Sequence, residues 1–165
     1  MTVPQPADVR DRIAQIVIVA DSCDRFGDFV RAAQAGEIGL HVCIDGHSAV
    51  RLAKRFAADA WIVAAELPDM SGFDLVDMLS ARLLADDVDP PRFRSRLIQE
   101  RGGEAVHTAI FSVSADYRIE DEQRALAAGV AAFFVHPVTL DVIRDSLQHA
   151  AASARGRFTT AGAAS

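Results

Sequence analysis

The sequence predicts an α/β fold: a doubly wound, five-stranded parallel sheet with helices on both faces. Three observations carry this reading. Five short apolar runs recur along the chain, at Ile16–Ala20, Leu40–Ile44, Ala60–Ala65, Ala109–Val113 and Ala132–Val135. They are rich in β-branched and aromatic residues and do not alternate polar with apolar, which is how strands covered on both faces read. The stretches between them have helical spacing, and the two kinds of segment alternate strictly, as in a parallel sheet wrapped by crossover helices.

The helices follow in chain order. Phe26, Phe29, Val30 and Ala33 share one face of the first, and Ala49, Ala53 and Phe56 one face of the second. Leu75, Leu79 and Leu83 line the third. A shorter helix over Ile119–Ala128 is closed by Gly129, a residue suited to a left-handed C-cap. Leu140, Ile143 and Leu147 line the last.

The segment Ala85–His107 is too long for a simple helix-to-strand connection. Asp89-Pro90-Pro91 reads as an N-cap with proline in the first turn, and Gly102-Gly103 as a stop. An extra short helix from about Pro91 to Arg101 is therefore expected between the third helix and the fourth strand. It carries Arg92, Arg94, Arg96 and Arg101, and is either a solvated insertion or a docking surface for an acidic partner. The chain thus divides into a loose N-terminal segment, 1–12, one domain over 13–151 with an insertion at 85–107, and a small-residue tail, 152–165.

Composition narrows the function classes. At 165 residues the chain fits one domain, and with 50% hydrophobic and 24% charged residues it reads as globular. No apolar run reaches membrane-spanning length and no secretion signal opens the sequence, so a cytoplasmic protein without membrane contact is expected. A formal charge of -6 weighs against nucleic-acid binding. Lys54 is the only lysine. Cys23 and Cys43 form neither a disulfide framework nor part of a zinc pattern, and His41, His47, His107 and His149 are scattered. No glycine-rich phosphate loop follows Ile16–Ala20 and no nucleophile elbow is present, which leaves a small doubly wound enzyme or nucleotide binder as the weaker alternative.

In doubly wound sheets, ligands bind beyond the carboxyl ends of the strands. The residues there are Ala20–Cys23, Asp45, Ala64–Asp69, Ser114-Ala115 and His136-Pro137. The most specific stretch is Ala64-Ala65-Glu66-Leu67-Pro68-Asp69-Met70-Ser71-Gly72-Phe73, a strand end running through a proline turn and a glycine into a helix. It resembles the third strand and following loop of response-regulator receiver domains (CheY-like) of two-component systems. Ala20-Asp21, Ser114-Ala115, Val135-His136-Pro137 and the run Ala125–Gly129 match the other receiver positions in order, so the resemblance covers about Ile13 to Ala150. It implies the flavodoxin-like strand order 2-1-3-4-5.

The resemblance also implies a degenerate, pseudo-receiver variant. The aspartate that takes up the phosphoryl group in the family falls at Ala64, and a methyl group is no nucleophile. The acidic pair that holds Mg²⁺ becomes Ala20 and Asp21, so at best weak Mg²⁺ binding on Asp21 is expected and no cofactor. The lysine becomes His136, followed by Pro137. Ser114 and Phe133, where receivers often place a rotating aromatic, persist from the switch.

The implied function is a single-domain atypical response regulator. It is not an enzyme, and acts by phosphorylation-independent contact with a signalling protein, or as a homodimer, through the face of the fourth helix, fifth strand and fifth helix. The alternative is a phosphorelay receiver with a non-standard acceptor, Glu66 or Asp69.

Overall fold

A computed structural model of the chain describes residues 13–83 and 108–149. The predicted insertion helix with Arg92, Arg94 and Arg96, and both chain ends, lie outside the described residues. In order, the elements are β1 (Ala14–Val19), α1 (Gly27–Gln34), β2 (Ile38–Cys43), α2 (Gly46–Ala53), β3 (Ala60–Ala64), α3 (Gly72–Leu83), β4 (Ala109–Ser114), α4 (Ile119–Ala128), β5 (Ala132–Val135) and α5 (140–149). The strands form one all-parallel sheet in the order β2-β1-β3-β4-β5, the doubly wound, flavodoxin-like arrangement expected from the sequence.

The central strands are nearly all apolar because each face of the sheet carries its own core. On one face Ile16, Ile18, Ile62, Phe111 and Val113 meet Phe29 and Ala32 of α1 and Leu140 and Ile143 of α5. On the other, Val17, Val19, Trp61, Val63 and Ile110 meet Ala49 of α2, Leu75, Val76 and Leu79 of α3 and Ala125 of α4. The period of two thus feeds both cores, with Ser112 of β4 the one fully buried polar residue among the described residues. β5, at the sheet's edge, is half-buried at all four positions.

Local chemistry sets the helix ends. Asp45 caps α2, its carboxylate accepting the Ser48 N–H at 2.7 Å. Gly129 closes α4 in the left-handed region at φ 108°, donating to the Ala125 and Leu126 carbonyls as predicted. Asp28 of α1 accepts the Leu140 N–H at 2.7 Å and so caps α5.

Some strand and helix bounds differ from the sequence reading. β1 starts at Ala14, because Gln15 pairs with Gly39 and its N–H donates to Asp59 at 2.7 Å. β2 runs from Ile38 to Cys43 and leaves Ile44 exposed beyond it. Phe26 stands just before α1, at its N-cap position, yet is buried. No helix among the described residues is long and apolar enough to cross a membrane.

Candidate functional site at the carboxyl edge of the sheet

The strand register assembles the site. Val19 pairs with Val63, so Ala20 and Ala64 follow side by side on neighbouring strands. Ala64 pairs with Val113 and Ser114 with Val135, which brings the ends of β3, β4 and β5 to the same edge. Backbone hydrogen bonds carry the ladder one residue further. Ala20 N–H donates to Cys43 at 3.0 Å, Ala65 N–H to Val113 at 2.9 Å, and His136 N–H to Ser114 at 3.0 Å. The positions Ala20, Asp21, Ala64, Ser114 and His136 singled out in the sequence therefore lie along one edge. Pro137 follows His136 through a cis peptide bond and is exposed.

The α3 entry is equally constrained. Gly72 N–H donates to the Ala65 carbonyl at 2.9 Å, and a Cβ on Gly72 would collide with the Ala64 carbonyl. Only glycine lets the loop fold back this close to the end of β3.

The immediate surroundings of Ala64 are apolar. Ala64 is half-buried and packs against the cluster that contains Ala20, Phe26, Val113 and Val138. The His136 ring stands edge-on to Phe26, with centroids 5.3 Å apart and planes at 71°, and Phe26 in turn meets Phe29 at 5.7 Å. His136 Nδ1 is buried without a hydrogen-bond partner among the described residues. Burial, and then the nearby Arg25 guanidinium, push the imidazole below its ordinary pKa, so the ring is neutral near pH 7. Asp21 is exposed and is the one carboxylate among these five edge positions.

The two loop acids behave differently from each other. Glu66 is exposed, its backbone bridged to Ser71. Asp69 is bound to the start of α2. Its carboxylate accepts the N–H groups of Gly46 at 2.8 Å and His47 at 3.0 Å, and also pairs with His47 Nδ1. These bonds, Gly46 first, hold its pKa at about 2. No group of three or more His, Cys, Asp or Glu residues is placed to hold a metal ion among the described residues.

Of the two positions that the resemblance likens to a switch, Ser114 is half-buried, and Phe133 packs against the core shared by α2, α3 and α4 with Tyr117 beside it, centroids 6.5 Å apart. Tyr117 itself is exposed and donates to Glu122 at 2.5 Å.

Sequence reasoning missed two features of the site. Phe26 has the spacing of a helix-face residue, yet its ring meets that of His136 edge-on. The Asp69 clamp was not anticipated, since its partners lie 22 and 23 residues away.

This arrangement is that of a known fold. No protein-family model matches the chain. Among solved structures it is similar to a response regulator receiver domain protein (CheY-like) from Methanospirillum hungatei, with a TM-score of 0.61 and 16% identity over 84% of this chain and 96% of that one. It is similar to a response regulator from Burkholderia pseudomallei solved with a phosphorylated aspartic acid, calcium ion and citrate, at TM-score 0.62 and 15% identity, covering 87% and 72% of the two chains. It is also similar to the chemotaxis response regulator CheY4 of Vibrio cholerae, at TM-score 0.60 and 19% identity, covering 84% and 98%. The chain has the fold of CheY-like receiver domains. In sequence it is 26% identical over 146 residues to the virulence sensor protein BvgS of Bordetella pertussis, and it spans only 10% of the length of that protein.

Proposed function

We propose that this chain is a receiver-like module of two-component signalling that transmits by protein contact and does not take up a phosphoryl group. The observation that carries the reading is the Ala64 methyl at the end of β3, half-buried against the core cluster that includes Ala20 and Phe26. The Burkholderia response regulator carries a phosphorylated aspartic acid. On this reading Ala64 stands at the acceptor position of the chain, where no oxygen is available to attack phosphorus. The donor set also fails to fit Mg²⁺ or Ca²⁺. Hard cations need several oxygen ligands, and these five edge positions offer one exposed carboxylate, one hydroxyl, two methyls and a neutral imidazole.

Output passes through a partner protein. The face formed by α4, β5 and α5 is the candidate surface: Tyr117, Ile119, Leu126 and Val142 are exposed large apolar or aromatic residues on or beside it. On this reading the protein is non-enzymatic and cytoplasmic, without a resident cofactor. The alternative acceptor Asp69 is disfavoured by its clamp on α2, which leaves Glu66 as the free acid of that loop.

The test is an intact-mass measurement after incubation with Mg²⁺ and acetyl phosphate. The expected result is an unchanged mass. A stable adduct of one phosphate overturns the reading, and peptide mapping then shows whether Glu66 or Asp69 carries it.

A further inference from the structure

Arg51, Lys54 and Arg55 form a cationic stripe on α2. Arg51 lies in the last helical turn, Lys54 is the C-cap, and the Arg55 and Phe56 N–H groups still donate to Leu52 at 3.1 and 2.9 Å, so the turn continues past the cap. Residues at these spacings share one face of a helix. All three are exposed, and none makes an ion pair among the described residues.

The complementary surface is on the same chain. The loop before α4 and its first turn carry Asp116, Glu120, Asp121 and Glu122 against Arg118 alone, with Tyr117 and Ile119 exposed beside them. The helix dipoles favour each sign at its own helix end but leave both clusters unpaired with each other. Within one molecule they do not meet. α2 packs on α3 and on β2, α4 packs on α3 and on β5, and the strand order puts β2 and β5 at opposite edges of the sheet.

We propose that the α2 stripe is a docking surface whose occupant is the acidic first turn of α4 in a second copy of this chain. The two surfaces differ, so the contact pairs α2 of one copy with α4 of the other. The proposal rests on the reading of α4 as a contact face and names a partner for it.

Sedimentation velocity of the full chain over a concentration series tests it. In about 0.02 M NaCl the weight-average sedimentation coefficient rises with concentration, and in about 0.5 M NaCl the association weakens at least tenfold, as expected for exposed charges. R51E/K54E/R55E and E120K/D121K/E122K, each checked for folding by circular dichroism, each weaken association at least about tenfold. Mixing the two variants, or combining both reversals in one chain, restores it. A chain that sediments as a monomer at every concentration in low salt overturns the proposal. So does association that survives either reversal, or reversals that mixing does not rescue. The phosphodonor measurement is independent: a monomeric chain that also stays unphosphorylated rejects the docking contact alone.

Discussion

His136 meets Phe26 edge-on at 5.3 Å, and its buried Nδ1 has no polar partner among the described residues. A neutral ring suits this seat and an imidazolium does not, because burial and the Arg25 charge both oppose protonation. The folded-state pKa therefore lies below the ordinary 6.5. The stability that comes from keeping the ring neutral is full above about pH 6.5 and is lost as pH falls through the folded value, since the unfolded chain takes up the proton first. Thermal unfolding from pH 8 to 5, compared with His136→Leu, checks this. The wild-type curve should fall more steeply below pH 6.5, and parallel curves would remove the argument.

Asp69 gives the opposite sign. Its carboxylate, held at a pKa of about 2 by the Gly46 and His47 donors, stabilises the fold above the ordinary value of 3.8, and the contribution disappears as pH falls towards 2. In Asp69→Asn the neutral amide is a poorer acceptor for the α2 N-terminus. Hydrogen exchange at the Gly46 and His47 amides should accelerate by about tenfold or more, with amides of β3 unchanged. Unaltered exchange at those two amides would show that the clamp does not hold α2.

Gly72→Ala tests the close approach of α3 to β3. The added methyl meets the Ala64 carbonyl, a backbone atom that cannot rotate away. We expect a loss of at least about 2 kcal/mol in urea unfolding, at the upper end of overpacking costs. A variant of wild-type stability would mean that the loop relaxes freely.

Much of this architecture is legible in the chain, for identifiable reasons. Strands buried on both faces leave continuous apolar runs, and a parallel sheet gathers their carboxyl ends on one edge, so Ala20, Ala64, Ser114 and His136 can be assembled from their order alone. Polar residues blur the ends: Gln15 belongs to β1 because its N–H finds Asp59, while Ile44 looks like strand yet stands exposed. Side-chain partners across the sequence are the least visible. Asp69 reads as a loop acid until tertiary packing brings the α2 N-terminus to it. Phe26 reads as helix face until the His136 ring is seen against it. A signal for the α2 cap did exist, in Asp45 standing three residues before Ser48.

Ser112 is fully buried in β4, and its hydroxyl has no partner among the described residues. A desolvated hydroxyl without a hydrogen bond gives nothing back for its lost hydration. Ser112→Ala should therefore be neutral or up to about 1 kcal/mol more stable in urea unfolding. A loss above about 1 kcal/mol would reveal a hydrogen bond that the described residues do not supply.

Introducing charged residues at this edge singly and together should separate the cost of charge from the gain of chemistry. Ala64→Asp places a carboxylate against Ala20 and Phe26, with a neutral His136 in place of a cation. Without a metal or an ammonium group to balance it, that charge should cost at least about 1–3 kcal/mol at pH 7. The variant should remain unphosphorylated by acetyl phosphate. Adding Ala20→Asp supplies a second carboxylate beside Asp21, and His136→Lys supplies the cation, so in the triple variant Mg²⁺ has oxygen ligands and the phosphoryl group a counter-charge. Mg²⁺ should then raise the melting temperature of the triple variant but not of the single one, and only the triple variant should gain the mass of one phosphate. Phosphorylation of Ala64→Asp alone would show that the edge has kept a working cation site, and the apolar account of it would have to be abandoned.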